Sequence, residues 1–131
     1  MQARIILIED EEFIRDLYST NIQGAGYFID SFATGKEGLE ALKKNKYDLL
    51  LLDIMLPDTN GLAILKKIKA DDSLKNLKVV LLTNLGADNI IKEGFQLGAE
   101  GYLIKAAHNP DQIVAEMGKI LEDKPRTVIP S

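Results

Sequence analysis

Apolar residues fall along this chain in two alternating rhythms. Ile5 to Ile8, Leu49 to Leu52, Val79 to Leu82 and Leu103-Ile104 are apolar at every position, and between them apolar residues recur every three or four positions. The first rhythm suits strands covered on both faces, and the second suits amphipathic helices. Strands are predicted over 4–9, 27–33, 48–53, 78–83 and 101–105. The second of these, Tyr27-Phe28-Ile29-Asp30-Ser31-Phe32, carries polar residues and reads as an edge strand.

Five helices are predicted between and after the strands. Ile14, Leu17, Tyr18 and Ile22 share one helical face, with Gly24 and Gly26 as stops. Thr34 and Glu37 have the spacing of a capping box for a helix running to about Lys44. Leu62, Leu65 and Ile68 mark a third helix, and Ile90, Ile91, Phe95 and Leu97 a fourth that ends near Gly98. Asn109-Pro110-Asp111-Gln112 combines an Asn cap, a Pro in the first turn and a Gln three positions on, so a fifth helix starts there and buries Ile113, Met117, Ile120 and Leu121. Residues 123–131 hold two prolines and no period, and are expected to be a tail or linker stub after a single domain over 1–122.

Strands alternating with helices predict an α/β fold, a doubly wound five-stranded parallel sheet. Such sheets bind ligands outside the carboxyl ends of their strands, where the winding reverses. Polar residues follow the apolar runs at those ends: Glu9-Asp10, Asp53, Thr83 and Lys105. If Glu9, Asp10 and Asp53 converge, each pair of carboxylates repels by roughly 1–4 kcal/mol, which a proton or a cation must relieve. Few carboxylates, water and a phosphate suit Mg²⁺. Asp53 is then the candidate nucleophile toward phosphorus, with the Lys105 ammonium and the Thr83 hydroxyl compensating phosphoryl oxygens.

Bulk composition narrows the alternatives. The 131 residues suffice for one domain with a real core, and the net charge of −4 offers no basic footprint for nucleic acid. Absence of cysteine excludes a disulfide scaffold, thiolate zinc sites and a cysteine nucleophile, and fits a cytoplasmic protein. The apolar runs are far shorter than the ~20 residues of a membrane span. Met1-Gln2-Ala3-Arg4 leads straight into a strand, leaving no room for a signal peptide.

Each candidate residue has a plainer reading in isolation. Asp10 can be a helix cap, Asp53 a loop carboxylate, Thr83 a strand-end hydroxyl, Lys105 a solvated cation and Tyr102 a half-buried strand aromatic. His108, the one histidine, reads as a loop residue before the Asn109 cap.

Taken in order, Ile8-Glu9-Asp10-Glu11, Leu52-Asp53-Ile54-Met55-Leu56-Pro57 with Gly61, Leu82-Thr83, and Gly101-Tyr102-Leu103-Ile104-Lys105 resemble the receiver domain of two-component response regulators over residues 4–122. The resemblance implies a flavodoxin-like sheet of order 2-1-3-4-5. It also implies that Asp53 accepts a phosphoryl group from a phosphohistidine on a sensor histidine kinase or histidine phosphotransfer protein. Glu9, Asp10, Asp53 and the Met55 carbonyl would hold Mg²⁺. Thr83 would move toward the phosphoryl group and Tyr102 would turn into the space it leaves. That motion would reshape the surface of the fourth helix, fifth strand and fifth helix, where downstream proteins dock, with no direct contact to nucleic acid or membrane.

Two positions depart from the family pattern. Ala106 follows Lys105 where proline in a cis peptide is usual, and a non-proline cis bond costs ~2.5–4 kcal/mol. Asn84 follows Thr83 where a small residue is usual. The departures leave open a receiver-like interaction module that works without phosphorylation. A phosphohydrolase using an aspartyl phosphate is disfavoured, because Met55 stands where its acid would be and no cap domain is present.

Overall fold

The computed structural model describes residues 2–84, 88–105, 109–122 and the backbone of 127–128. Its elements run β1 (Arg4–Ile8), α1 (Glu12–Gly24), β2 (Phe28–Phe32), α2 (Gly35–Lys44), β3 (Leu49–Asp53), α3 (Gly61–Ala70), β4 (Lys78–Thr83), α4 (Asp88–Gln96), β5 (Gly101–Ile104), α5 (Pro110–Leu121) and β6 (Thr127–Val128). All strand pairs are parallel, and the sheet order is β2-β1-β3-β4-β5-β6.

The continuous apolar runs follow from burial on both faces. Ile6, Ile8, Leu50, Leu52, Val79 and Leu81 point into one core with residues of α2 and α3. Ile5, Leu7, Leu49, Leu51, Val80 and Leu82 point into the other, against α1 and α5. Each fully buried Leu or Ile contributes roughly 1.5–3 kcal/mol relative to exposure, so the doubly covered runs Ile5 to Ile8, Leu49 to Leu52 and Val79 to Leu82 stay apolar until they reach the carboxyl edge. Every residue of β2 is only half-buried, as expected of an edge strand.

Caps fix the helix starts. The Thr34 hydroxyl accepts from Glu37 N at 3.1 Å, and Asn109 with Gln112 forms a complete capping box. Asn60 caps α3 by accepting from Leu62 N at 2.7 Å. Among the described residues no helix is long and apolar enough to cross a membrane.

The predicted order of five strands is observed, and one element is added. Thr127–Val128 falls in the segment expected to be a tail, yet it pairs with β5 in the register Gly101↔Thr127 and Tyr102↔Val128. A two-residue strand has no periodicity to read in a sequence. It forms because α5 returns the chain to the end of the sheet where β5 begins, the geometry of one more strand–helix–strand unit.

Candidate functional site

Sheet geometry delivers the candidate residues to one end of the molecule. Asp53 is the last residue of β3 and is 3% exposed, while Glu9, directly after β1, is fully buried. Asp10 beside it is exposed. Oxygens of the Glu9, Asp10 and Asp53 carboxylates lie within 4.8 Å of one another. Lys105, just past β5, reaches in so that its Nζ stands 2.6 Å from Glu9 Oε1 and 3.2 Å from Asp53 Oδ2.

The other carboxylate oxygens are held by backbone. Glu9 Oε2 accepts from Glu11 N at 3.0 Å, and Asp53 Oδ1 accepts from Met55 N at 3.1 Å. Three carboxylates face one ammonium, so the cluster retains excess negative charge. That excess and its all-oxygen donor set suit a hard divalent cation.

Burial dominates the titration of this cluster. It pushes the Glu9 carboxyl up to about 7, against the opposing hydrogen bonds from Lys105 and the Glu11 amide, while the Asp53 charge pushes it further up. Burial likewise raises Asp53, opposed by the charge and hydrogen bond of Lys105 and by the Met55 amide. For Lys105 burial disfavours the ammonium, but Glu9 and Asp53 together outweigh it and raise its pKa.

Thr83 ends β4 opposite Ile104 and is half-exposed, and its carbonyl accepts from Lys105 N at 2.7 Å. The hydroxyl-bearing and ammonium-bearing residues are therefore tied through backbone. Tyr102, on β5 between β4 and the short edge strand β6, is 8% exposed and meets Phe95 of α4 edge-on, with centroids 5.9 Å apart and planes at 74°. Asn84 is exposed, as is the Met55 side chain. Ala106 and His108 lie outside the described residues, and with Ala106 the Lys105–Ala106 peptide.

The loop after Asp53 is folded on itself. Met55 bridges Asn60 in antiparallel fashion, Leu56 N donates to Thr59 O at 3.3 Å, and Gly61 N donates to Ile54 O at 2.7 Å. A Cβ on Gly61 would lie 2.4 Å from the Asp53 carbonyl oxygen, so only glycine lets the chain pass this close.

Sequence reading missed two contributors. Arg15 donates to the carbonyls of Glu9 at 2.9 Å and Asp10 at 3.3 Å, bracing the turn that presents both carboxylates. Asp58 accepts from Gly35 N and Lys36 N at the start of α2. Both bind backbone atoms of other segments, a contact that leaves no pattern in residue types. A cavity of about 740 Å³ lined by residues such as Lys43, Lys46, Asp48 and Lys78 lies at the opposite end of the strands and shares no residue with the acidic cluster.

The response regulator receiver domain family matches residues 5–117. The transcriptional regulatory protein CrdR of Helicobacter pylori is 32% identical over 131 residues, which are 100% of this chain and 61% of CrdR. The chain thus spans less than two thirds of that curated relative. Among solved structures, the chemotaxis response regulator CheY4 of Vibrio cholerae superposes with a TM-score of 0.85 at 26% identity, covering 92% of this chain and 99% of that one. The phosphorylated cyanobacterial phytochrome response regulator RcpA gives 0.82 at 25% identity, covering 93% and 95%. A family match over most of the chain, the shared 2-1-3-4-5 core of the sheet and an acidic cluster at its carboxyl edge lead to one conclusion: the chain belongs to the response regulator receiver domains of two-component, phosphorylation-based signalling.

Proposed function

We propose that Asp53 is the phosphoacceptor, that its donor is a phosphohistidine on a sensor histidine kinase or histidine phosphotransfer protein, and that Mg²⁺ is held by Glu9, Asp10, Asp53 and the Met55 carbonyl. The observation that carries the reading is the convergence of three carboxylates with Lys105 Nζ 3.2 Å from Asp53 Oδ2. Bound Mg²⁺ would supply neutralisation of phosphoryl oxygens and of the carboxylates that must approach them.

An Asp53 oxygen attacks phosphorus while the P–N bond of the donor breaks. The electron pair stays on nitrogen, and the ring, protonated on its other nitrogen, leaves as neutral imidazole. Asp53 becomes an acyl phosphate. Lys105 offsets charge on the phosphoryl oxygens, and the Thr83 hydroxyl donates to one of them. The chain then acts as a signalling phosphoacceptor whose only chemistry is its own phosphorylation and dephosphorylation.

Output is proposed to pass from Thr83 to Tyr102. Because Tyr102 is already buried against Phe95, the switch is a repacking where β5 meets α4. It changes the α4–β5–α5 face on which a downstream protein docks. We take 1–122 as the receiver domain and 123–131 as a tail or linker that reaches β5 through β6. The setting is cytoplasmic, with no direct nucleic-acid contact by these residues.

Intact-mass measurement after incubation with acetyl phosphate and Mg²⁺ tests the reading. One phosphoryl group should add to the wild type, and none to Asp53→Asn or to protein without metal. No uptake, even from a cognate phosphohistidine donor, would leave a receiver-like interaction module that acts without phosphorylation.

A further inference from the structure

We propose that Asp58 is a positioning residue for the acceptor site, holding the β3–α3 loop against the start of α2 so that Met55 stays aligned on Asp53. The inference rests on the reading of Asp53 as phosphoacceptor and names a control of that site.

A helix leaves its first amide groups without intrahelical partners. In α2, Thr34 satisfies one of them, Glu37 N, at 3.1 Å. Gly35 N and Lys36 N are taken by Asp58, at 2.9 Å to Oδ1 and 3.0 Å to Oδ2. These two amides hold the Asp58 carboxyl below the usual carboxylate range, so it is ionised wherever the site works. The helix end thus carries a second cap supplied by a distant loop.

Close packing supports the contact. A Cβ on Gly35 would lie 2.6 Å from both Ile64 Cδ1 and Thr59 Cγ2, so the loop lies directly on the helix start. Asp58 is at the tip of the hairpin whose base is the Met55–Asn60 bridge, and the Met55 amide donates to Asp53 Oδ1. Anchoring the tip limits rocking of the base. Freed, the loop would carry the Met55 amide and carbonyl away from the acceptor oxygens. Asp58 bonds the start of α2 and stands outside the Glu9–Asp10–Asp53 group, so it acts through Met55.

A simple helix cap would satisfy the same two amides, and Thr34 provides the control because it caps the same helix end from outside the loop. Three variants, Asp58→Ala, Asp58→Asn and Thr34→Ala, are compared with wild type by the ¹⁵N–¹H resonance of Met55 and by the rate of phosphoryl uptake from acetyl phosphate across a Mg²⁺ titration. Asp58→Ala should shift the Met55 resonance, slow uptake by about tenfold and raise the Mg²⁺ needed for half-maximal rate, as expected for outer partners of a metal site. Asp58→Asn, which keeps one acceptor oxygen, should fall between. Thr34→Ala should change the rate by less than about twofold, by the same reasoning.

Equal effects of Asp58→Ala and Thr34→Ala on resonance and rate would reduce Asp58 to a cap and overturn the proposal. So would an unmoved Met55 resonance in Asp58→Ala. If wild type takes up no phosphoryl group the acceptor reading fails by itself, and the Met55 resonance still decides whether Asp58 positions the loop.

Discussion

The Lys105 ammonium is bound more closely to Glu9 than to the proposed acceptor, with Nζ 2.6 Å from Glu9 Oε1. Glu9 is fully buried, and its carboxylate depends on this cation and on one backbone amide for compensation. The cluster is therefore poised: a second cation entering among Glu9, Asp10 and Asp53 would supply charge that the lysine alone does not.

This arrangement sets a pH dependence. The Glu9 carboxyl is raised from 4.5 to about 7, chiefly by burial, and Asp53 is raised in the same sense. A raised folded-state pKa means that between these limits the folded protein binds more protons than the unfolded chain, so stability falls as pH rises. Urea denaturation in divalent-free buffer should show stability highest near the lower limit and declining toward neutrality. Glu9→Gln should flatten much of the decline. A stability that rises with pH across this window would contradict it.

Removing the lysine tests the same cluster from the other side. Lys105→Ala leaves Glu9 and Asp53 buried without their ammonium, and breaking one side of a buried ion pair typically costs ~3–5 kcal/mol. Thermal melts at neutral pH should drop accordingly. Lowering the pH, or adding Mg²⁺, should return part of the loss because each neutralises the stranded carboxylates. An unchanged melt would show that the pair is stabilised by groups other than each other.

Gly61→Ala probes the loop at its narrowest point. The added methyl would meet the Asp53 carbonyl oxygen at 2.4 Å and Ile54 Cα at 2.8 Å, both backbone atoms that cannot rotate away. Overpacking of this kind costs ~1–3 kcal/mol. Because Gly61 N also bonds Ile54 O, the strain should reach Asp53, and phosphoryl uptake should fall along with the melting temperature. Full retention of both would mean that the loop yields more easily than its hydrogen bonds imply.

The sheet was legible because burial on both faces of β1, β3 and β4 forces runs such as Leu49 to Leu52, and the acidic residues stand where those runs stop. Glu9, Asp10, Asp53 and Lys105 could be gathered on paper for the same reason, since parallel strands bring all their carboxyl ends to one edge. Thr83 and Tyr102 could be located but not their neighbours: the Tyr102–Phe95 contact depends on how α4 lies across the sheet. Arg15 and Asp58 escaped because each binds main-chain atoms, which every residue possesses. β6 escaped because two residues carry no rhythm and its pairing is set by where α5 ends.

Two exposed apolar side chains offer a test of the proposed donor. Among the described residues, Phe13 at 77% and Met55 at 79% are the exposed large hydrophobic side chains, one in the first turn of α1 after the Glu9-Asp10 turn, the other two residues beyond Asp53. Single exposed apolar side chains are ordinary on a protein surface, so their position next to the Glu9-Asp10 turn and the proposed acceptor has to be tested directly. If the proposed phosphohistidine donor docks over the start of α1 to reach Asp53, it would contact Phe13, whereas acetyl phosphate needs no such contact. Phe13→Ala should therefore slow transfer from a phosphohistidine protein by about fivefold or more, as for loss of an aromatic anchor worth ≥ 1 kcal/mol. It should leave uptake from acetyl phosphate unchanged. Side-by-side rates with the two donors check this: equal slowing with both would assign Phe13 to the folding of α1, and no slowing with either would remove it from the docking surface.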